Sequence, residues 1–574
     1  MTIPTGLPGT QKTGGVAATT APLREPPVIS QDEMDLLQAV VQLDKNDDVN
    51  GLHSLIASNR YSADQVTVVV PYLLAAGRVR AAYLLAMILD NAGRRHTHIS
   101  LALGAGGLAF GRPVDEARGV QMLWAQTDAQ SVEQQQFIDN RIVRPLVNAL
   151  LNNLLGCGNI AASDAYLESA DNVRHTLRVM ELLRAAVPCF RPIFDMNAPI
   201  PELSLAEMRQ RGREQSRLIH HPLPPADVPR QRRRVLVFQR ERYHTHPDVN
   251  DPGRMPVNRS RLSHFGPLMV EAMNAYGWDA EFCPIFGTRF RRMVDCIPFI
   301  VEMCRQRDPD IMVIEQDAPL LHFKQEYMAM LIQLRRAHPR LKVVGQVHDS
   351  WFFKEEELIE VFSLLDVVWE PLVPSRAVWK HPSLQHKMLQ ANFMHSGQYR
   401  GSTALPLAPN ISLFGSIGLT NWPRIFWLAA IKQMNLPVKR EPADQHQDGL
   451  PALESYAHYM QRLGESTCSL NLLMRMDHGT TVVGRTFETL YSGALLVQEA
   501  APEMHCHFIA GEHYLEISSV ADLAAVVRFM AERPEEAEEI RRCGYVFAHE
   551  HYSGEKLIGY LDYRLYFADT AAGQ

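Results

Sequence analysis

The chain has 574 residues, eight cysteines and a formal net charge of −7, with a sequence pI near 6.4. At roughly 100–200 residues per domain, this length implies about three or four folding units, and 46 % hydrophobic with 21 % charged residues is globular composition. A mildly acidic chain is not built to neutralise phosphate backbones, so nucleic acid is not an expected partner. No run of eighteen apolar residues reads as a membrane span.

Residues 1–29 are rich in Gly, Thr, Pro and Ala and read as a disordered tail without the apolar core of an export signal. With no CxxC spacing among the cysteines, this favours reduced thiols and a cytoplasmic location, where contact with a membrane surface would be peripheral. From Ser30 to about Phe194 the pattern is helical, with apolar residues at three-to-four spacing in MDLLQAVVQL, VTVVVPYLLAAG and VRAAYLLAMILDNAG. Ser62 to Gln65 has the form of a capping box. The stretch around Gly77 resembles that around Gly111, 34 residues later. A helix–turn–helix unit of about that length, with Gly at the turn, is the pattern of tetratricopeptide-type arrays, although an irregular all-helical domain fits the same residues.

Residues 195–233 read as a linker, whose basic, proline-rich part (MRQRGREQSRLIHHPLPPADVPRQRRR) suits an exposed connection. A membrane surface or nucleic acid is the other reading of its charge. From Arg234 onward, short Val/Ile-rich strands (RRVLVFQ, DIMVIEQ, LKVVGQVH, DVVWEP) alternate with helical stretches, which predicts a parallel sheet covered on both faces. A second such run begins at ISLFGS and ends in three helices. The expected domains are therefore 30–194, 234–405 and 406–574, the last two doubly wound with a cleft between them.

Ligands of open α/β sheets bind at the carboxyl ends of strands, where helix N-termini point. One such loop is Phe414 to Thr420, in which Gly415 and Ser416 permit close approach of backbone amides to an anion and Arg424 can add a guanidinium. A plain strand-to-helix turn explains the same residues. A second is GRTFETLYSGALLV, where Arg485 and Glu488 fall in a loop and first helical turn. A carboxylate there can accept hydrogen bonds from vicinal ribose hydroxyls, and the arginine can neutralise a diphosphate. Alternatively, Glu488 favours the helix dipole and pairs with Arg485. At the ends of earlier strands, His348 and Asp349 are candidates for acid–base work, as are Glu315 and Asp317. The loop from Arg240 to Gly266 is a candidate acceptor-facing segment. His244/His246, His505/Cys506/His507 and His549/His551 lack the spacing of structural zinc sites, so no metal is expected.

The segment RTFETLYSGALLVQE resembles the donor-binding motif of GT-B glycosyltransferases, in particular group-1-like enzymes related to the spore-maturation protein CgeB. FGSIGLTNWPRIFWL before it and EISSVADLAAVVRFMAERPEEAEEIRRCGYVFAHEHYSGEKL after it match in order. The resemblance covers about residues 410–566, and residues 234–400 by architecture alone. It implies a GT-B fold behind an all-α, helical-repeat-like domain, and transfer of a sugar from a nucleotide-diphosphate donor to a hydroxyl acceptor on a glycan, lipid-linked glycan or protein. Glu488 would take the ribose; Arg485 and the Gly415–Ser416 turn would take the diphosphate, with no cofactor beyond the donor. Retaining members of the broader group often place a second glutamate eight residues earlier, where this chain has Thr480, so that mechanism is in doubt. A helical domain suggests a macromolecular acceptor or protein partner. A GT-B sugar-nucleotide epimerase and a noncatalytic scaffold are the alternatives.

Overall fold

The structure, a computed structural model, describes residues 29–58, 60–126, 146–147, 150, 166–187, 190–241, 263–285, 290, 292–316, 319–320, 323–347, 355–370, 381–391, 411–414, 423–441, 452–475, 479–480 and 482–568. The chain divides into two compact units, Met1–Leu146 and Val147–Gln574.

Among the described residues, the regular structure of the first unit is helical: α1 (Gln31–Lys45), α2 (Val49–Ala57), α3 (Ala63–Ala75), α4 (Val79–Asn91), α5 (Thr97–Ala109) and α6 (Pro113–Gln126). Ser62 and Gln65 form the expected capping box. The helices pair as three hairpins with the same turn, in which the second residue after the first helix has a positive φ: 57° at Asp47, 70° at Gly77 and 63° at Gly111. Glycine takes that conformation without a Cβ clash, which accounts for its recurrence at 34 residues; aspartate tolerates it in the first hairpin. The second and third hairpins thus repeat element for element.

Close approach of α5 and α6 explains the small residues between them. A Cβ on Gly107 would lie 2.2 Å from the backbone nitrogen of Glu116, and one on Gly119 would lie 2.3 Å from that of Gly104. Tyr83 of α4 donates to Asp115 of α6 at 2.5 Å, and buried Asp90 accepts from both Arg95 and Arg118. We predict that Gly107→Ala destabilises this unit by about 1–3 kcal/mol, the usual cost of overpacking. Denaturant unfolding of the full chain should show the loss in an early transition.

The second unit opens with α7 (Ala170–Ala186), α8 (Phe190–Ile193) and α9 (Leu205–Gln215). Two sheets follow. The first contains β1 (Arg234–Arg240), α10 (Phe265–Tyr276), β2 (Asp279–Ile285), α11 (Cys296–Arg307), β3 (Ile311–Glu315), α12 (Lys324–Ala337), β4 (Lys342–Gln346), α13 (Glu355–Phe362), β5 (Val367–Glu370) and β6 (Met388–Gln390). Its six strands are all parallel in the order β2-β1-β3-β4-β5-β6.

The second sheet and its helices run through β7 (Ile411–Leu413), α14 (Pro423–Gln433), β8 (Val438–Arg440), α15 (Ala452–Glu465), β9 (Cys468–Asn471), α16 (Gly484–Ser492), β12 (Leu495–Glu499) and β13 (Leu515–Ile517), with a separate short hairpin β10–β11 (Met474–Arg475, Gly479–Thr480) between β9 and α16. Its five strands are parallel in the order β13-β12-β9-β7-β8. The chain then runs through α17 (Val520–Glu532), α18 (Pro534–Tyr552) and α19 (Gly554–Tyr566). Both sheets reverse strand order between their first and third strands, so each has a switch-point crevice: β1/β3 in one, β7/β9 in the other. Central strands are buried along their whole length, as expected when helices cover both faces. Two tandem Rossmann-like sheets behind an all-α stretch are the GT-B-type architecture that the sequence led us to expect.

Helices α7–α9 pack against the second sheet's helices. Phe194, at the end of α8, meets Phe426 and Trp427 of α14 edge-on at 6.0 and 5.7 Å. Arg209 of α9 donates to the carbonyl of Gly511 at 2.9 Å. The segment after α9 is laid down as a strap: the amides of Arg217 and Ile219 donate to the carbonyls of His505 and Cys506 at 2.8 and 3.0 Å. Arginines of α9 and the strap are engaged within the chain. Arg213 pairs with Glu512, Arg230 with Glu555 and Arg232 with Asp279, while Arg233 lies 3.9 Å over the Tyr566 ring. The positive run is therefore matched largely by internal partners. The last helix ties back to the first sheet through Tyr276 of α10, which donates to Asp562 at 3.0 Å.

Candidate functional site

The β7/β9 crevice is built on hydrogen bonds that the surrounding apolar core makes obligatory. Asn471, at the end of β9, donates through Nδ2 to Thr486 Oγ1 at 2.8 Å and to Gln498 Oε1 at 3.0 Å; Thr486 Oγ1 lies 3.1 Å from the same Gln498 oxygen. All three side chains are fully buried. They join the ends of β9 and β12 to the first turn of α16. Beside them, the Leu473 amide donates to Glu499 at 2.6 Å. Arg424, in the first turn of α14, is itself buried and donates through Nη2 to the Leu472 carbonyl at 3.1 Å, which fixes the guanidinium beside the crevice.

With its first turn anchored, α16 presents Arg485 and Glu488. Tyr459 of α15 donates to Glu488 Oε2 at 2.9 Å, and Tyr456, one turn earlier, is a second hydroxyl donor to this carboxylate. Burial raises the Glu488 pKa above its ordinary value, while the Arg485 charge and the two tyrosines act in the opposite direction. Burial, followed by the nearby carboxylate, also holds the Tyr459 phenol well above its normal range, so it remains a donor at neutral pH. Phe414, which closes β7, packs edge-on against Tyr459 at 6.1 Å.

The first sheet reaches this cluster through His264, the residue before α10. Its ring stacks on Tyr456 at 4.1 Å and 20°, and it is nearly buried. A contact from one sheet's helix to the other's thus lies one side chain from Glu488. At the β1/β3 crevice, Glu315 is fully buried and committed to Arg240, accepting from its Nε at 2.7 Å and its amide at 3.0 Å. That ion pair leaves Glu315 poorly suited to act as a base.

Of the residues singled out from sequence, Arg424, Arg485 and Glu488 are brought to one crevice of the second sheet. Gly415 and Ser416 after β7, His348 and Asp349 after β4, and Asp317 lie outside the described residues, as do His244 and His246. In the other histidine clusters, His549 and His507 serve packing. His549 stacks on Tyr491 at 3.8 Å and meets its carbonyl at 3.0 Å, and His507 Nδ1 lies 3.1 Å from Tyr552 Oη. Among the described residues, no group of three His, Cys, Asp or Glu side chains is placed to hold a metal ion. Tyr456, Tyr459 and His264 were missed by sequence reasoning. The Tyr-x-x-Tyr spacing of α15 places both phenols on one helical face, and was the available signal.

Residues 407–561 match a protein-family model described as glycosyl transferase-like, a span that contains the whole β7/β9 crevice. No curated protein matches the chain. Similar solved structures include a sucrose-phosphate synthase from Thermosynechococcus elongatus, with 12 % identity and a TM-score of 0.38 over 60 % of this chain and 100 % of that one. HepE from Anabaena, solved with UDP and glucose, has 11 % identity and a TM-score of 0.36 over 60 % and 100 %. A mutant O-GlcNAc transferase from Thermobaculum terrenum has 12 % identity and a TM-score of 0.34 over 95 % and 99 %. The fold defined by the two sheets and the family match is a GT-B-like glycosyltransferase fold preceded by a helical region.

Asn471→Leu should cost about 1–3 kcal/mol, because it removes the two buried hydrogen bonds that Asn471 Nδ2 donates to Thr486 and Gln498. Thermal unfolding would measure this, and an unchanged midpoint would show that the three-way bond does not anchor α16.

Proposed function

We propose that the chain is a glycosyltransferase that moves a sugar from a nucleotide-diphosphate sugar to a hydroxyl acceptor on a glycan, lipid-linked glycan or protein. The placement of Arg485 and Glu488 together at the second sheet's switch point, within the glycosyl transferase-like span, carries this reading. The CgeB-related group is the finer assignment we favour on the motif.

In this reading, ionised Glu488 accepts hydrogen bonds from the two ribose hydroxyls in place of those from Tyr456 and Tyr459. Arg485, Arg424 and the amides of the Gly415–Ser416 turn balance the diphosphate, whose charge grows as the sugar departs. These donors suffice chemically, so we expect no metal requirement. His348 or Asp349, beyond β4, takes the acceptor proton if the configuration at the sugar is inverted. The helical region offers a surface to a macromolecular acceptor or partner protein. Among the described residues, no helix is long and apolar enough to cross a membrane; we place the activity in the cytoplasm.

Incubation with a panel of nucleotide sugars, with and without acceptors, tests the reading: nucleotide release that depends on acceptor supports transfer, and donor isomerised without acceptor would instead indicate an epimerase. Glu488→Ala should weaken donor binding by about ten- to a hundred-fold, the worth of hydrogen bonds to a charged acceptor, while the variant still folds and unfolds cooperatively. Donor affinity should also fall on acidification. Because burial raises the Glu488 pKa, the carboxylate is neutralised at a higher pH than an ordinary glutamate, and the loss begins above the usual carboxylate range. Titration of nucleotide binding across pH in wild type and Glu488→Gln checks this, since the variant should lose that dependence.

A further inference from the structure

Away from the β7/β9 crevice, a cavity of about 260 Å³ opens where the strap crosses the junction of α18 and α19. His220 and His221 enter it from the strap, Glu550 and His551 from the end of α18, and Lys556 from the first turn of α19. Leu218 and Phe547 supply an apolar wall. His221 Nε2 lies 2.5 Å from the Gln390 carbonyl at the end of β6, and since a carbonyl only accepts, that nitrogen carries the proton. Arg564 of α19 donates to the carbonyl of Met388 on the same strand at 3.1 Å. The cavity therefore sits where the last helix meets the first sheet.

Its polar lining is mostly nitrogen-bearing. Three imidazoles and one ammonium converge, with Arg564 acting on His221 from beside it, against a single exposed carboxylate, Glu550. Burial first, then Arg564 and His220, lower the His221 pKa, while the Gln390 carbonyl opposes them. For His551, burial lowers the pKa, Glu550 raises it, and His220 and Lys556 lower it further. His507 and His513 behind them are pushed by burial to about 3 and about 4 and stay neutral. Burial is thus the main reason that His221 and His551 resist protonation.

We propose that this cavity binds a phosphate-type dianion, either free phosphate or a phosphomonoester, through Lys556, His220 and His551. A bound dianion reverses the field that disfavours the imidazolium, so His551 gains a proton on binding and affinity rises as pH falls toward 6. The volume leaves room beyond a free oxyanion, and the apolar wall suits a small organic group attached to it. This inference is independent of the sugar-transfer reading.

Sulfate is the first probe, because it remains a dianion throughout this range and any pH dependence belongs to the protein. Calorimetric titration of the full chain carrying Arg485→Gln, which silences the donor-site arginine, should give sulfate binding at least about five-fold tighter at pH 6 than at pH 8. Lys556→Met should weaken it about ten-fold, and His551→Gln should flatten the pH dependence. His220→Gln on the exposed strap repeats the test where folding is not at stake. Inorganic phosphate and glycerol 3-phosphate then separate the sources, the monoester binding more tightly if it is the physiological class. Sulfate affinity unchanged by both Lys556→Met and His220→Gln, or absent at millimolar concentrations, would overturn the proposal.

Discussion

Three buried polar side chains decide where the second sheet can act. Asn471, Thr486 and Gln498 are shut off from water, and the hydrogen bonds they make to one another tie the ends of two strands to one helical turn. This fixes the direction in which α16 leaves the sheet. Arg485 and Glu488 inherit their positions from it, and the tyrosines of α15 close around the carboxylate that results. A network buried this deeply is costly to rearrange, which gives the crevice a rigid floor.

The two sheets solve the same topological problem with different chemistry. Each reverses direction between its first and third strands, and each places an arginine at that crevice. In the first sheet, Arg240 is matched by a fully buried carboxylate, Glu315. In the second, Arg424 donates to a backbone carbonyl, which orients the guanidinium.

Local patterning made most of the elements legible. The capping box at Ser62, the glycine turns at Gly77 and Gly111, the Val/Ile-rich strands and the three final helices all follow from spacing within a few residues, and the Arg485–Glu488 pair could be read because both lie on one short helix. What escaped were contacts between distant segments. His264 and Tyr456 are 192 positions apart, and nothing in either neighbourhood marks them as stacked. The same limit applies to the linker stretch: its composition suggested an exposed connection, yet hydrogen bonds to His505 and Cys506 and pairings with Glu512 and Glu555 commit it to the surface of the second unit. Charge density is visible in sequence; the partners that balance it are not.

The packing of Phe194 against Phe426 and Trp427 bears on how the molecule can be divided. A fragment cut at Arg234, where the first strand begins, would carry both sheets but strip α7–α9 from α14, exposing two of the larger aromatic side chains of the second sheet's covering layer. Such a truncation would present a sticky apolar face and lose the strap along with it. The portable sheet-bearing module therefore starts well upstream of its first strand, and recombination or domain grafting that respects only the α/β boundary would transplant an incomplete body.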